Sequence, residues 1–430
     1  MSEKRKELYT YDLIVIGGGA SGMMAAGRAS ERGLRVLLVE KNKRLGEKLR
    51  ISGGGRCNIT NAEDDERRLL KMYGDAEQFL YSLFAQFGMK DTFHFFESRG
   101  LPLVIEAGKR AFPHTYKAED VVGVLEAYLK KGGVDIRTYA TVTKISTQDG
   151  KIESVLCGKE IFTAMDYLFA TGSLSRPETG STGDGFTWLT SLGHTVAKPT
   201  PTLVPLRVKE QWVKDLAGVS LSAMKITFST DEKKSLVLSG KILFTHFGLS
   251  GPLILNSAHT VKGLLESGVV TATIDACPHM DLGGLERYVV ATFDAHKNKS
   301  LRNIMKDIVV EGVHKGVLTL LSERMNIETK VHSVTKDERK YLVHLIKKLP
   351  MTIEGLMGFD RAVVADGGVP LEEIDMKTMR SKKISNLLIM GDLLHINRPS
   401  GGYSLQLCWS TGWVAGSHAG GESTVDAKSA

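Results

Sequence analysis

The segment YDLIVIGGGASGMMAAGRASERGLRVLLVEK, near the start of the chain, constrains the fold more than any other. An apolar strand leads into a turn with Gly17, Gly19 and Gly22, then a helix of small residues and a second strand that ends at Glu40. In such a turn the glycines permit the tight bend, the approach of a pyrophosphate and close packing of helix on strand. An acid at the second strand end can accept from ribose hydroxyls, which favours FAD or NAD over NADP. The pattern predicts a Rossmann-like dinucleotide site.

Composition indicates a soluble globular protein. The chain has 430 residues, 42% of them hydrophobic and 24% charged, enough for two or three domains. Its start is charged, and no apolar run approaches the length of a membrane span, so we expect a cytoplasmic protein without a membrane partner. The four cysteines contain no CxxC pair, and no cluster has metal-ligand spacing. We therefore expect buried, reduced thiols and no metal site.

The net charge of +7 is compatible with a polyanionic partner but also with a dinucleotide cofactor. Basic residues crowd between Lys41 and Arg56, and a more dilute group extends from Lys297 to Lys348. The second group is typical of the solvated face of ordinary helices. The sequence predicts no DNA partner and leaves the oligomeric state open.

Two later segments favour FAD over NAD. A short apolar strand over residues 167–170 ends in Thr171-Gly172, and another over residues 386–390 ends in Gly391-Asp392. Ser400-Gly401-Gly402 then opens a helix. Asp392 can accept from ribityl hydroxyls, and the helix N-terminus can stabilise negative charge on a reduced flavin. We expect one nucleotide domain built from both chain ends, with the middle of the chain inserted.

These motifs resemble the three glutathione-reductase-like FAD motifs, and further stretches resemble the BaiN-like (YhiN) NAD(P)/FAD-dependent oxidoreductases. The stretches follow one another along nearly the whole chain: GEKLRISGGGRCNITN (46–61), GKRAFPHTYKAEDV (108–121), GSTGDGF (180–186), GHTVAKPTPTLVPL (193–206), ILFTHFGLSGP (242–252), ADGGVPLEEIDMKTMRSK (365–382) and SGGYSLQLCWSTGWVAG (400–416).

The resemblance implies an α/β fold: a split Rossmann-like FAD-binding domain with an inserted small β-barrel and a helical subdomain. We expect the FAD domain over residues 1–197 and 349–430, the barrel over 198–275 and the helical domain over 276–348. Prolines near residue 200 and Leu349-Pro350 mark the two boundaries. Alternating runs before residue 260 are typical of strands, and the pattern after residue 281 is mostly helical.

The resemblance also implies the cofactor site. The segment after Glu40 passes along the pyrophosphate towards the isoalloxazine, with the glycine backbone of residues 53–55 close enough to donate N–H groups. The expected FAD contacts are Gly17, Gly19, Ala20, Ser21, Gly22, Glu40, Lys41, Lys48, Ser52, Gly53, Gly54, Gly55, Arg56, Cys57, Asn58, Val142, Thr171, Gly172, Gly391, Asp392, Gly401, Gly402, Tyr403, Ser404 and Leu405.

Two residues are candidate proton donors. Cys57 lacks a partner cysteine and is excluded as a redox dithiol, which leaves a proton donor beside the flavin or a packing residue. His246, in FTHFGLSGP, can protonate a substrate carbon because the pKa of histidine lies near neutrality, or it is a structural histidine.

Five residues are candidate substrate contacts: Lys109, His114, Arg176, His395 and Arg398. Three of them depart from the pattern of the family, which commonly has an aromatic residue in place of Arg176 and Leu-Asp-x-x-Gly-x-x-Gly-Gly-Tyr-Asn from position 394. Here that segment is LHINRPSGGYS, so His395 replaces an acid and Arg398 is new. The added cations either hold an anionic substrate or reposition the loop.

The resemblance implies reduction of a conjugated C=C bond, either in a steroid enone of bile-acid type or in a uracil of ribosomal RNA, which yields dihydrouridine. The excess of basic over acidic residues favours an RNA substrate, whose target base would be taken out of its stack. Only one dinucleotide fingerprint is present, so NAD(P)H is expected to dock transiently at the flavin. The alternatives are a small-amine oxidase that uses O2 and a non-catalytic, FAD-stabilised RNA-binding protein.

Overall fold

The computed structural model describes residues 10–232 and 234–421. They divide into two compact units, which are described separately. One unit combines the residues up to 201 with those from 362 onward, and the other comprises residues 202–361.

The first unit takes most of its elements from the first 201 residues. These are β1 (Tyr11–Ile16), α1 (Ala20–Glu31), β2 (Val36–Val39), α2 (Glu47–Ile51), β3 (Thr60–Asn61), α3 (Glu66–Lys71), α4 (Glu77–Phe84), α5 (Met89–Glu97), β4 (Leu103–Glu106), β5 (Arg110–Pro113), α6 (Ala118–Gly132), β6 (Asp135–Arg137), β7 (Val142–Gln148), β8 (Lys151–Cys157), β9 (Glu160–Phe162), β10 (Ala164–Phe169), α7 (Asp184–Ser191) and β11 (Ala197–Thr202).

The second unit contains β12 (Leu206–Val208), α8 (Gln211–Asp215), β13 (Ser220–Thr230), β14 (Ser235–Thr245), β15 (Gly248–Ser250), α9 (Pro252–Glu266), β16 (Val270–Asp275), α10 (Leu282–Ala295), α11 (Leu301–Ile308), α12 (His314–Ser322), α13 (Lys336–Lys347) and β17 (Leu349–Leu356). The chain then returns to the first unit with β18 (Val364–Gly368), β19 (Leu387–Ile389) and α14 (Tyr403–His418).

A five-stranded parallel sheet organises the first unit, in the order β19-β10-β1-β2-β6. All four residues of β2 and the last five of β1 are buried, as expected for strands covered on both faces. The strand order places β1 between β10 and β2, so the segments that follow these three strands meet at one edge of the sheet. The split Rossmann-like domain predicted from sequence has this topology.

Helices α1 and α14 pack closely through glycines. A Cβ at Gly412 would lie 2.6 Å from the Ser21 carbonyl oxygen, and one at Gly416 would lie 2.5 Å from that of Ala25. The small residues of α1 therefore allow backbone-to-backbone contact with the C-terminal helix. This contact joins the two chain segments of the unit.

The second unit is built on a closed antiparallel barrel in the order β12-β15-β14-β13-β16-β17. The side chains inside the barrel and those of the surrounding helices form one continuous apolar core. The barrel and the helices thus form a single compact unit. This differs from the two separate inserted domains predicted from sequence.

The predicted return to the FAD domain at residue 349 also differs from the structure, where the second unit extends to residue 361. Leu349–Leu356 is β17, which closes the barrel between β16 and β12. Pro350 is tolerated because it pairs only with Thr273 of β16, whereas β12 pairs further along the strand. Because proline is also typical of boundaries between elements, the sequence pattern predicts a boundary where the strand begins.

All four cysteines, Cys57, Cys157, Cys277 and Cys408, are free and buried, as predicted. Among the described helices, none combines the length and the apolar character that crossing a bilayer requires.

A buried histidine stabilises the loop that leads to β19. Nδ1 of His194 lies 2.6 Å from Glu373 Oε2, and Nε2 lies 2.7 Å from Ser381 Oγ. The Ser381 oxygen already accepts the N–H groups of Lys383 and Ile384, so its hydroxyl donates to Nε2 while Nδ1–H donates to Glu373. Burial lowers the pKa of His194, and only the neutral ring satisfies this set of bonds.

We expect the free energy of unfolding to decrease as pH falls below about 6.5, the pKa of an unperturbed histidine. Below that pH the unfolded chain binds a proton at residue 194 that the folded chain, with its lower pKa, does not bind. Urea unfolding at about pH 7.5 and about pH 5.5 should show a smaller loss for His194→Gln than for the wild type, because glutamine does not titrate. An equal loss in both proteins would contradict this assignment.

Candidate functional site

Three glycines shape the turn between β1 and α1. A Cβ at Gly17 would lie 2.5 Å from the Ala170 oxygen, and one at Gly22 would lie 1.9 Å from the Gly17 oxygen, so both positions require glycine. A Cβ at Gly19 would meet nothing within 4 Å, so the space in front of the turn is open. Gly19 is the N-cap of α1, and no side chain caps the helix. The N–H groups of Ala20 and Ser21, which precede the first intrahelical bond from Met23 to Gly19, are therefore available to an anion.

Glu40 follows β2 and is buried. Its carboxylate accepts the N–H groups of Gly18 at 2.7 Å and Asn42 at 2.8 Å. A carboxylate has about four acceptor positions, so Glu40 retains capacity for ribose hydroxyls. The Ala140 N–H donates to the Glu40 carbonyl at 3.0 Å, which brings the segment leading to the buried Val142 beside it.

Lys41 has an internal partner. Its ammonium donates to Asp184, the first residue of α7, at 2.7 Å and also to Thr182 in the loop before that helix. Asn42 donates to the Thr179 carbonyl at 2.9 Å. The structure thus uses Lys41 to tie this loop to the residues after Glu40, and the positive charge of Lys41 is already balanced.

Lys48, in α2, lies close to the second FAD motif, Thr171-Gly172. A Cβ at Gly172 would lie 3.7 Å from Lys48 Nζ, which donates to Ser175 Oγ at 3.1 Å. Burial lowers the pKa of Lys48. Ser173, directly after Gly172, is fully buried, and its hydroxyl has no partner among the described residues. Ser173 and Ser175 are not among the residues predicted from sequence, although hydroxyl residues that follow a nucleotide motif are a readable signal.

The third FAD motif, Gly391-Asp392, lies beside the first motif, the glycine turn that leads into α1. A Cβ at Gly391 would lie 2.8 Å from Ser21 Oγ, in the first turn of α1. The Asp392 carboxylate is ion-paired with Arg398 on one oxygen, and its other oxygen lies 3.8 Å from Lys48 Nζ. The structure therefore brings Asp392 and Lys48 together, as both predictions require.

The N-terminus of α14 is open and held close to β3. Gly402 is its N-cap, with φ at +104° and no side-chain cap, and a Cβ there would lie 2.4 Å from the Thr60 oxygen. The Asn58 amide accepts the Gly402 N–H at 2.9 Å in the orientation that satisfies its bonds. Tyr403, Ser404 and Leu405 form the first turn of the helix, which follows Gly401 and Gly402. Such an end stabilises negative charge.

The loop SGGGRC, at residues 52–57, adopts mostly left-handed backbone angles. The φ values are +56° at Gly53, +69° at Gly54, +84° at Gly55 and +58° at Cys57. A Cβ at Gly54 or Gly55 would meet nothing within 4 Å, so glycine is required there by the backbone angle. Ser52 accepts the Cys57 N–H at 3.0 Å, which closes the loop.

Arg56 and Cys57 are engaged by other parts of the protein. The Arg56 guanidinium lies 4.5 Å from the centre of the Phe112 ring and 3.3 Å from Glu106. Cys57 is fully buried, and burial raises the pKa of its thiol to about 12. The thiol therefore stays protonated at neutral pH and is a poor nucleophile.

The five predicted substrate contacts are in different environments. Lys109 is ion-paired with Glu63 at 2.7 Å, and Arg176 with Glu178 at 3.4 Å. His114 and His395 are exposed. The Arg398 side chain, in contrast, is only 1% exposed, and its nitrogens are bonded to Asp392, the Ile396 carbonyl and Ser404. That burial does not fit the predicted contact with a substrate anion.

His246 belongs to the second unit. It lies in the turn between β14 and β15, is exposed, and packs edge-on against Phe247 with ring centroids 4.8 Å apart. In the described part of the chain, no His, Cys, Asp and Glu side chains are grouped so as to hold a metal ion.

The first unit fits FAD on its own evidence. The open turn at Gly19 offers N–H groups to a diphosphate, Glu40 offers acceptors to a ribose, and Ser173 is a buried hydroxyl without a partner among the described residues. The cluster contains two cations, Lys48 and Arg398, and one carboxylate, Asp392, so it suits an anionic ligand. These groups come from segments separated by hundreds of residues.

The fold and this site define a two-segment dinucleotide-binding protein of the flavoprotein type. The model of the HI0933-like protein Rossmann domain matches residues 11–418. The chain therefore belongs to the HI0933-like family.

Two relatives match over nearly their full length. The 3-dehydro-bile acid delta(4,6)-reductase of Clostridium scindens is 30% identical over 407 residues, which are 94% of this chain and 97% of the relative. The ribosomal RNA dihydrouridine synthase of Escherichia coli is 27% identical over 410 residues, 94% of this chain and 96% of the relative.

A solved structure supports the fold. The 3-ketosteroid delta1-dehydrogenase of Sterolibacterium denitrificans superposes with a TM-score of 0.53 at 13% identity, over 95% of this chain and 99% of that chain. The predicted family, fold class and enzyme class, an FAD-dependent oxidoreductase, are confirmed.

We expect Gly22→Ala to lose FAD, because its Cβ would lie 1.9 Å from the Gly17 oxygen and would force the turn open. Gly123→Ala is the matched control, since Gly123 lies inside α6 with no atom near its added Cβ. That control should keep FAD and gain about 0.5–1 kcal/mol in stability. FAD content per chain after gel filtration, measured by absorbance, tests the prediction. Stoichiometric FAD in Gly22→Ala would contradict it.

Proposed function

We propose that this chain uses FAD to reduce a C=C bond conjugated with a carbonyl group. One observation carries the proposal: groups suited to a diphosphate, a ribose and a flavin converge in one unit from three chain segments. The names of both full-length relatives describe enzymes whose chemistry concerns C=C bonds in carbonyl-conjugated rings. The two lines of support are independent.

The residues of the first unit divide the binding work. The N–H groups at Ala20 and Ser21 are suited to the diphosphate, and Glu40 to the adenosine ribose. Asp392 and the open end of α14 are suited to the ribityl chain and the flavin ring. When bound and reduced by NAD(P)H, the flavin would supply the hydride that adds to the carbon β to the carbonyl.

In this proposal the proton for the α-carbon does not come from Cys57, and His246 remains a prediction from sequence. Burial raises the pKa of the Cys57 thiol to about 12, so a proton lost at each turnover would be costly to release.

NAD(P)H is the electron donor in this proposal. The chain has one dinucleotide fingerprint, which FAD occupies, so the nicotinamide docks transiently and leaves before the substrate binds. This order gives ping-pong kinetics.

Two substrate classes have separate support. The second unit carries 22 Lys and Arg against 17 Asp and Glu over residues 202–361, an excess that favours an RNA substrate. The identity of 30% to the bile-acid reductase, against 27% to the RNA enzyme, supports a steroid-type enone.

The reaction is tested with the FAD-loaded protein under anaerobic conditions. NAD(P)H should bleach the flavin absorbance, and either a steroid enone or a ribosomal RNA transcript should restore it. Mass spectrometry of the product should show a gain of two hydrogens. If RNA is the substrate, its affinity should fall steeply with salt, whereas enone binding should respond little.

Other outcomes would reject the reductase. Flavin reduction by small amines, with reoxidation by O2 alone and no response to enone or RNA, would identify an amine oxidase. A flavin that NAD(P)H does not bleach, together with tight RNA binding, would identify a non-catalytic RNA-binding protein.

We expect Cys57→Ala to keep both half-reactions, flavin reduction by NAD(P)H and flavin reoxidation by the substrate, within about threefold of the wild-type rates. The reason is that the buried thiol, whose pKa burial raises to about 12, holds its proton too tightly to act as the general acid. Stopped-flow absorbance measures the half-reactions separately. A loss of about 100-fold or more in the substrate half-reaction alone would assign the proton to Cys57.

A further inference from the structure

Arg398 is the most completely buried cation of the candidate site. Its side chain is 1% exposed. One nitrogen is ion-paired with Asp392, another donates to the Ile396 carbonyl at 2.7 Å, and Nε donates to Ser404 Oγ at 3.1 Å. A single guanidinium thus joins the strand end after β19, the following loop and the first turn of α14.

The charges around Asp392 do not cancel. Arg398 and Lys48 provide two positive charges, and Asp392 provides one negative charge. Lys48 also donates to Ser175, a neutral group. Only the Arg398 side chain is fully removed from water, since those of Lys48 and Asp392 are 28% and 15% exposed, and the excess cation favours an anionic ligand. The cluster lies beside the first turn of α1 and is tied by Ser404 to the first turn of α14, two helix ends that themselves favour anions.

We infer that Arg398 is a positioning residue for the FAD of the proposed function, and that its fixed charge favours the reduced, negatively charged flavin. Its three bonds hold Asp392 and the start of α14 in place before the cofactor binds. Its charge reinforces the N-terminal dipole of α14 through Ser404. Arg398 does not bind a substrate anion directly, because its N–H groups are buried, with 1% of the side chain exposed.

The inference predicts an ordered series of reduction potentials. Counting Lys48, Arg398 and Asp392, the wild type has a net charge of +1, Arg398→Gln has 0 and Asp392→Asn has +2. The double variant Arg398→Gln/Asp392→Asn returns to +1. The two-electron midpoint potential of bound FAD should therefore be highest in Asp392→Asn, similar in the wild type and the double variant, and lowest in Arg398→Gln.

The expected size follows from affinity. In Arg398→Gln, reduced FAD should lose at least about tenfold more affinity than oxidised FAD, which is about 30 mV for a two-electron couple. Dye-equilibrated anaerobic titration measures the potential, and fluorescence titration of apoprotein measures the dissociation constant of oxidised FAD. We expect Arg398→Lys to keep the potential near that of the wild type and to bind FAD more weakly, since an ammonium cannot reproduce the three-way geometry.

Arg35→Gln is the charge-matched control. Arg35 is bound to Asp12 at 3.0 Å, at the start of β1, whereas the candidate site follows the opposite end of the strands. This variant removes the same charge and should leave both the potential and FAD affinity unchanged.

Each outcome decides the inference. Equal potentials in Arg398→Gln, Arg35→Gln and the wild type would overturn it. If Arg398→Gln retains no FAD, Asp392→Asn is compared with the double variant, since the two differ only at residue 398. A lower potential in the double variant supports the inference, and equal potentials overturn it. A wild type that binds no FAD would instead reject the proposed function, whereas FAD binding with a flat series would reject this inference alone.

Discussion

The close approach of α1 to its neighbours is the constraint on which the first unit depends. Gly22 allows α1 to contact the turn that precedes it, and Gly412 and Gly416 allow α14 to contact its opposite side. A methyl group at any of these positions would meet backbone atoms at 2.6 Å or less. Because backbone cannot yield as a flexible side chain can, the helix end and the third motif are fixed relative to each other. The site therefore inherits its geometry from packing that involves no functional side chain.

Buried charge is the second constraint, and it follows from the first. Once α1, the second motif and the third motif converge, Lys48, Asp392 and Arg398 come together, with Arg398 buried and the other two side chains 28% and 15% exposed. The carboxylate stabilises both cations, and the remaining positive charge makes the cluster complementary to an anion. Ser173 adds a buried hydroxyl without a partner in the described part of the chain. An excess cation and a buried hydroxyl that the protein does not satisfy are better matched to a bound cofactor than to a protein core.

The sequence predicted the parts of the fold that depend on local pattern. The β1–α1–β2 unit, its glycine turn and the position of Glu40 follow from periodicity and from backbone geometry that only glycine permits. The sixth barrel strand, Leu349–Leu356, was missed because a proline near its start is also a boundary signal. The direction of Arg398 could not be predicted, since a cation beside glycines can point outward to a ligand or inward to Asp392. Contacts between residues far apart in the chain decide between these two directions, and a single sequence does not reveal such contacts.

The SGGGRC loop illustrates the same distinction within one segment. Its glycines occupy left-handed angles and are exposed, so at Gly54 and Gly55, where an added Cβ would meet nothing within 4 Å, the backbone angle is what requires glycine. Cys57 shares that angle without being glycine, at φ +58°, and is buried with its N–H bonded to Ser52. A left-handed residue with a side chain is strained, and it persists only where its surroundings hold it. The thiol is therefore part of what holds the loop in shape, and the exposed glycine backbone is the part of the loop that can meet a ligand.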